Sequence, residues 1–419
     1  MLRNYLKLSL KVLARRKFFT FVSLFGIAFT LAVLVFVSAL VDHTLAPQAP
    51  ESRQDRMLVN FRAVMYKDFE RGGNQWSSEG GYLLFDRYAR GLAGVERLSI
   101  FSTAASVASF VNGQKIVSWL KRTDADYWQI LDFTFLEGGP FTAADVEAGR
   151  AVAVINETTR QRFFGGEAAL GRTFEADGQR FTVIGVVPDV PDLRRVPFAD
   201  IWVPVTTAKS DAYRRELMGG FNALVLAEDP SRLPGIQEEF NARLQDVEFT
   251  DPRNYDTIVA PLERPLDAYA RRFPVVDQRN PAPQGWKLVA AASVLGALFA
   301  LLPIVNLVNL NMSRILERSS EIGVRKAFGA SSRVLVGQFV VENVVLTCVG
   351  GFLALLLAAV LLRAMNASGW LAYAQLGVNW RIFLYGLLLA LVFGVVSGVY
   401  PAWRMSRLHP ADALKGGVR

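Results

Sequence analysis

Four apolar runs mark the chain: Phe18 to Val41, Leu288 to Met312, Val334 to Leu362 and Ile382 to Val399. Three carry no charge, and the third carries only Glu342. A helix needs about 20 apolar residues to cross about 30 Å of hydrocarbon, so each run reads as a membrane span. A buried core helix explains one such run but not four. Run 1 is too long for the core of a cleaved signal peptide, and Ser38-Ala39-Leu40 is a poor cleavage site, so it reads as a retained helix.

Between the first two runs the pattern changes. Short apolar strands alternate with amphipathic helices, which predicts an α+β domain. The expected strands are 57–61, 152–156, 180–187, 200–205, 221–228 and 255–262, with further strand material over 96–110. The expected helices are 80–92, 157–163 and 232–246. A strand-helix-strand unit near each end predicts two similar halves with a β-rich insertion at about 113–215. The polar, proline-bearing stretches Ala46–Ser52 and Asp277–Gly285 read as linkers. The expected fold class is a membrane protein with four transmembrane α-helices and a large α+β extracytoplasmic domain between the first two.

The basic residues orient this layout. Six lie in residues 1–17, five in 313–333 and four in 401–419, whereas the loop between runs 3 and 4 holds only Arg363 and Arg381. Four crossings put the three basic segments on one side, the cytoplasm, with both termini inside. The expected organisation is a cytoplasmic head (1–17), helix 1 (18–41), an outer domain (42–287), helix 2 (288–312), a cytoplasmic segment (313–333), helix 3 (334–362), a short outer loop (363–381), helix 4 (382–399) and a cytoplasmic tail (400–419). The net charge of +8 then has a local origin. The cytoplasmic pieces hold fifteen bases against Glu317, Glu321 and Asp412. That balance fits anionic lipid at the inner leaflet and argues against nucleic acid.

Catalytic constellations are missing. His43 and His409 fall on opposite sides of the membrane, and there is no C-x-x-C or G-x-S-x-G. Cys348 is the single cysteine, so no intrachain disulfide exists and the outer domain folds on its core alone. Gly166 to Thr173 nearly spells a phosphate-binding loop, but Arg172 replaces the lysine and no strand closely precedes it. It reads as a turn from a short helix into a strand. No cofactor is expected on this chain.

Two cytoplasmic pieces carry a pattern. In the head, Leu2, Leu6, Leu10 and Leu13 form one stripe and Arg3, Lys7, Lys11 and Arg15 another, as in a helix lying in the inner interface. Between runs 2 and 3 the sequence is Glu317-Arg318-Ser319-Ser320-Glu321-Ile322-Gly323-Val324-Arg325-Lys326-Ala327-Phe328-Gly329. Glu321 and Arg325 stand four apart in the favourable order, with Ile322, Ala327 and Phe328 as apolar contact points. This is either a short helix presenting a charged and apolar knob, or a solvated loop that only satisfies the charge rule.

Inside the membrane, Glu342 either snorkels or pairs with a base, or serves a relay, since a carboxylate there is costly. Gly394 and Gly398 form a G-x-x-x-G spacing that permits close helix packing; chance in a glycine-rich helix gives the same spacing.

The 317–330 motif, following Asn306 near the end of a membrane helix, resembles the coupling segment of MacB/FtsX-type ABC transporter permeases. Gln338-Phe339, Glu342 and Gly350-Gly351 resemble that family's third helix, and Tyr400-Pro401-Ala402 with Pro410 to Leu414 its tail. Val152 to Glu157, Phe164-Gly165, Gly171 and Thr182 to Val186 resemble its outer domain, which implies Porter-like and Sabre-like lobes. The resemblance implies a non-catalytic permease of the bacterial inner membrane, working as a dimer with a second copy or a paralogue on two ABC ATPase subunits. ATP and Mg belong to those partners. Residues 317–329 would couple to the ATPase, whose motion would reach the periplasmic domain by mechanotransmission. MacB proper carries a fused N-terminal ATPase domain; this chain departs from that, and a separate ATPase is expected. Efflux of a drug, peptide or lipid-linked substrate, with a periplasmic adaptor as a candidate partner, is the first functional reading. Lipoprotein release of the LolC/LolE kind and FtsX-like regulation of a cell-wall hydrolase are the alternatives, and a sensor receptor is a weaker fourth.

Overall fold

A computed structural model describes residues 14, 15, 17–69, 73–111, 114–317, 324, 328 and 331–406. Two compact units emerge. One is built from the long helices; the other comprises Thr44–Ala290 together with Leu371–Ala374.

The long helices span Lys17–Leu45, Gly285–Glu317, Ser332–Ser368 and Trp380–Ser406. Two of them, Lys17–Leu45 and the stretch Val336–Ser368, are long and apolar enough to cross a membrane. Gly285–Phe299 and Trp380–Val396 are shorter apolar stretches. Most of each long span stays outside the protein interior: Phe18, Phe21, Phe25 and Phe29 form an exposed aromatic stripe on the first helix. A soluble core helix would bury such a stripe; a lipid-facing helix exposes it. The faces that do pack use small residues. Ile27, Ala28 and Leu31 meet Leu346 and Ala354, and Ala32 and Val35 meet Ala358 and Phe383. A Cβ on Gly350 would come within 2.8 Å of Ile27, and one on Gly351 within 2.6 Å of Leu387, so glycine sets the approach of these helices.

The second unit is α+β, as its alternating pattern predicts. Its strands are β1 (Met57–Asn60), β2 (Ala63–Tyr66), β3 (Gln75–Gly80), β4 (Val95–Ser102), β5 (Ala105–Val111), β6 (Gln114–Thr123), β7 (Glu137–Gly138), β8 (Val152–Asn156), β9 (Thr173–Ala176), β10 (Gln179–Val187), β11 (Ile201–Pro204), β12 (Met218–Gly219), β13 (Phe221–Ala227) and β14 (Thr257–Val259). One sheet runs β1-β13-β3-β2-β14, with β4 also on β13 and β12 on β3. The other runs β7-β10-β8-β11-β6-β5-β9, and β9 also pairs β10, so six of its strands close into a ring. This second sheet draws on residues 105 to 204. Phe163, Phe174, Phe181, Val183, Val186, Ile201 and Val203 belong to its core.

Strand β13 shows why an unbroken apolar run is a strand here. Ala223, Val225 and Ala227 pack on Leu84, Phe85, Leu233, Ile236 and Phe240 from the helices Tyr82–Tyr88 and Leu233–Arg243. Leu224 and Leu226 point the other way, toward Tyr127, Trp128 and Trp202. Both faces are covered, so both parities are apolar.

The phosphate-loop lookalike is a turn. Asn156 caps the helix Glu157–Phe164 through its side chain, and Gly165 ends it in the left-handed region at φ 66°. The chain then turns into β9, reversing the strand-to-helix order a phosphate loop needs. Arg172 ion-pairs Glu167 at 3.0 Å and lies 4.8 Å from the Phe164 ring centre.

Candidate functional site

The stretches that read as linkers are fastened to the α+β unit. At the entry, Arg194 and Glu51 are both buried and ion-paired at 3.1 Å. The Arg194 guanidinium also donates to the carbonyls of Ala46 at 2.6 Å and Gln48 at 3.3 Å. At the exit, Arg271 ion-pairs Glu263 at 2.6 Å, again with both side chains buried. Its other N–H groups donate to the carbonyls of Asp277 at 3.2 Å and Asn280 at 2.9 Å. Gln284 donates to Asp277 O at 2.9 Å. Each guanidinium thus satisfies carbonyls of an irregular segment while its own charge is held by a buried carboxylate.

A third fastening uses the chain between the third and fourth long helices. The Tyr373 hydroxyl donates to Asp200 Oδ1 at 2.5 Å, and the Asp192 N–H donates to Ala372 O at 3.2 Å. Asp200 is buried and also accepts from Trp119 N at 2.8 Å and Asn156 Nδ2 at 3.1 Å. Burial, and then the bond to Asp200, push the Tyr373 hydroxyl pKa upward. Tyr373 sits at φ 58°, a left-handed backbone rarely adopted by an aromatic residue.

The segment 189–200, between β10 and β11, is common to the entry and to the third fastening. It is itself pinned. The buried Lys121 ammonium donates to Arg195 O at 2.9 Å and Val196 O at 2.5 Å, and burial pulls its pKa well below the ordinary lysine value. Tyr127 donates to Val196 O at 2.7 Å, and Tyr269 donates to Leu193 O at 3.1 Å. Tyr269 belongs to the helix Pro265–Ala270, directly before Arg271. A rigid polar hub therefore ties the points where the chain enters this unit and returns to it.

Two expected results follow. Replacing Tyr373 with phenylalanine removes a hydrogen bond to a charged group, worth about 1.5–3 kcal/mol. Amide exchange over 371–374 is then expected to speed up about tenfold to a hundredfold, read by mass spectrometry. The second concerns pH. Burial outweighs Arg194 at Glu51 and Arg271 at Glu263, and raises each carboxyl from 4.5 to about 7. Between those values the folded chain holds more protons than the unfolded chain, so stability falls as pH rises through the window. The double variant Glu51→Gln, Glu263→Gln is expected to flatten that slope, measured by thermal unfolding across pH 4.5 to 8.

Of the residues singled out for coupling, Glu317 closes the helix Gly285–Glu317, and Val324 and Phe328 are described: the Phe328 N–H donates to Val324 O at 3.1 Å, one helical turn apart. Phe328 is 88% exposed and Val324 44%. Arg318, Glu321, Ile322, Gly323, Arg325, Lys326, Ala327 and Gly329 lie outside the described residues, as do residues 1–13 of the head and 407–419 of the tail. Asn306 falls within the helix Gly285–Glu317. Glu342 is buried in the helix Ser332–Ser368. Gly394 faces that helix: a Cβ there would lie 3.0 Å from Thr347 Oγ1, and Asn343 Nδ2 donates to Gly394 O at 3.0 Å. Gly398 lies in the helix Trp380–Ser406.

Comparison with known proteins gives this architecture its family. Residues 20–243 match the MacB-like periplasmic core domain, and residues 293–410 match the FtsX-like permease C-terminal domain. The chain belongs to the MacB/FtsX-type ABC transporter permeases. It is similar along nearly its whole length to an uncharacterised ABC transporter permease of Bacillus subtilis (strain 168), YvrN: 23% identity over 427 residues, 98% of this chain and 99% of that one. A second permease of that organism, YknZ, is 24% identical over 78% of this chain and 77% of its own length. The macrolide export ATP-binding/permease protein MacB of Bdellovibrio bacteriovorus is 27% identical over 69% of this chain, which spans 42% of that protein. The FtsX-like match spans the 317–330 motif, whose resemblance implies the same family. The permease fastens its periplasmic-type domain through Arg194, Arg271 and Tyr373, none of which stood out in the sequence. Arg194 and Tyr373 meet residues far along the chain, and Arg271 meets main-chain carbonyls and Glu263 eight positions before it; none of these pairings leaves a periodic pattern.

Proposed function

We propose that this permease couples ATP hydrolysis on two separate ABC ATPase subunits to motion of its periplasmic domain, and so drives efflux. Four helices cross the inner membrane with both termini in the cytoplasm, and two permease copies, or this chain and a paralogue, form the membrane core. The 317–329 segment seats on the ATPase, and Glu321, Arg325 and Phe328 supply its charged and apolar contacts. ATP and Mg reside in the partner. The observation that carries the reading is the fastening of the 46–51, 277–284 and 371–374 stretches to one domain. A segment that must pass on a displacement cannot be slack, and a buried guanidinium holding successive carbonyls removes slack. The name of the Bdellovibrio relative, a macrolide export protein, supports a drug among the drug, peptide and lipid-linked substrates considered for efflux. The roles of a periplasmic adaptor and of bound lipid belong to the same reading.

The test is purification of the full chain from its native membrane in a mild neutral detergent, followed by mass spectrometry and an ATPase assay. Recovery of an ABC ATPase with vanadate-sensitive activity is the expected result. No ATPase in any of several mild detergents would overturn the proposal.

A further inference from the structure

The periplasmic-type domain contains a cleft whose chemistry the coupling role does not use. Two cavities, of about 300 and 340 Å³, share Phe61, Arg195 and Arg272 in their walls. The first is aromatic, with Phe101, Trp119 and Phe198 beside Phe61; the second is polar, with Arg62, Ser77 and Glu79.

With Arg271 held by Glu263, three guanidiniums line the cleft, Arg62, Arg195 and Arg272, against two carboxylates, Glu79 and Asp192. Arg195 lies 5.2 Å from the centre of the Phe61 ring, and its ion pair with Glu79 is long, at 3.7 Å. Arg272 makes no side-chain hydrogen bond or ion pair among the described residues. The two guanidiniums are close enough for Arg272 to add to burial in lowering the Arg195 pKa. Nearby, Asn222 is 2% exposed and lines the aromatic cavity. Its Nδ2 donates to Thr103 Oγ1 at 3.0 Å, which leaves Oδ1 buried with no donor. An orphaned buried carbonyl beside two under-neutralised guanidiniums asks for one N–H and one anion.

We propose that this cleft binds an amphiphilic carboxylate that bears an N–H group, such as an N-acylated amino acid or the C-terminal residue of a peptide with an apolar side chain. The carboxylate sits between Arg195 and Arg272, where planar guanidiniums suit its geometry. The N–H donates to Asn222 Oδ1, and the apolar body lies on the rings of Phe61, Phe101 and Phe198. The volumes match a ligand of modest size. Asp192 and Ala372 also line the cleft. An occupant therefore touches the third fastening. The proposal goes beyond the coupling reading and does not rest on it.

Isothermal titration calorimetry on the full chain in neutral detergent tests this with N-acetyl-phenylalanine, its amide, and a tetrapeptide ending in free phenylalanine. The acid or the tetrapeptide is expected to bind saturably, and whichever is tighter identifies a free acyl amino acid or a peptide end as the source. The amide is expected to bind at least tenfold more weakly. So is the acid to the Arg272→Gln variant, whose melting temperature stays unchanged because that side chain holds nothing in place. Binding of neither probe, equal binding of acid and amide, equal binding to Arg272→Gln, or displacement by inorganic phosphate at similar concentration would each overturn the proposal.

Discussion

Replacing Phe328 with aspartate is expected to strip the ATPase from the purified permease. Phe328 is the most exposed aromatic residue among the described ones, in a segment the proposed topology puts in the cytoplasm. Burying such a ring in a partner groove contributes about 2 kcal/mol, or about thirtyfold in affinity for each permease–ATPase contact. Aspartate removes that gain and adds a desolvated charge. Phe328→Asp should therefore leave the permease folded and abundant, with little ATPase recovered and with transport lost. Glu321→Lys and Arg325→Glu are expected to act more gently, leaving assembly in place while uncoupling hydrolysis from transport. Quantitative mass spectrometry of the complex, together with ATPase rates, separates the two outcomes. Wild-type recovery and transport in all three variants would remove the 317–329 segment from the coupling role.

Arg194→Ala is expected to have the largest effect on the periplasmic-type domain. It leaves the Glu51 carboxylate buried without its partner and frees the Ala46 and Gln48 carbonyls. Breaking a buried ion pair from one side costs about 3–5 kcal/mol. Thermal unfolding at pH 8, where Glu51 is ionised, should report a loss of that size. Replacing both partners, as Arg194→Met with Glu51→Leu, should recover much of the stability, because no charge remains stranded. It should not recover coupling, because methionine cannot hold the carbonyls of the entry segment. Stability restored together with transport would mean that the fastening serves only the fold.

The physical basis of what could be read in advance is local pattern. The apolar runs became long helices, and Val152–Asn156, Gln179–Val187 and Phe221–Ala227 became strands, because burial on one or both faces leaves its mark on consecutive residues. The hairpin of β2 and β3 left no such mark. In β3 the sequence Gln75-Trp76-Ser77-Ser78-Glu79 has almost no apolar alternation, and Gln75, Trp76 and Ser77 are exposed. Strand β9 starts at Thr173, the last residue of the phosphate-loop lookalike, where a turn from a helix into a strand is expected. Composition alone marks the proline-bearing stretches as linkers. The exit stretch is held by Arg271, 6 to 11 positions away, but the other partners are remote: Arg194 meets Gln48 across 146 positions, and Tyr373 meets Asp200 across 173. Pairings of that span are set by how the sheets fold back, and nothing near either residue announces them. Within the 317–329 segment, residue pattern alone fits a knob and a solvated loop equally, and only the family resemblance favours the knob.

The most direct measurement of mechanotransmission is the distance between the periplasmic-type domains of the two permease copies in different nucleotide states. Cys348 is the single cysteine, so Cys348→Ala with Glu147→Cys gives one spin label per copy at an exposed position of that domain. Electron–electron dipolar spectroscopy on the ATPase-bound complex should show the label-to-label distance shift between nucleotide-free and vanadate-trapped states. The same shift should be lost in the Arg194→Ala background. An unchanged distance distribution in both nucleotide states, with the ATPase active, would contradict transmission of ATPase motion to this domain.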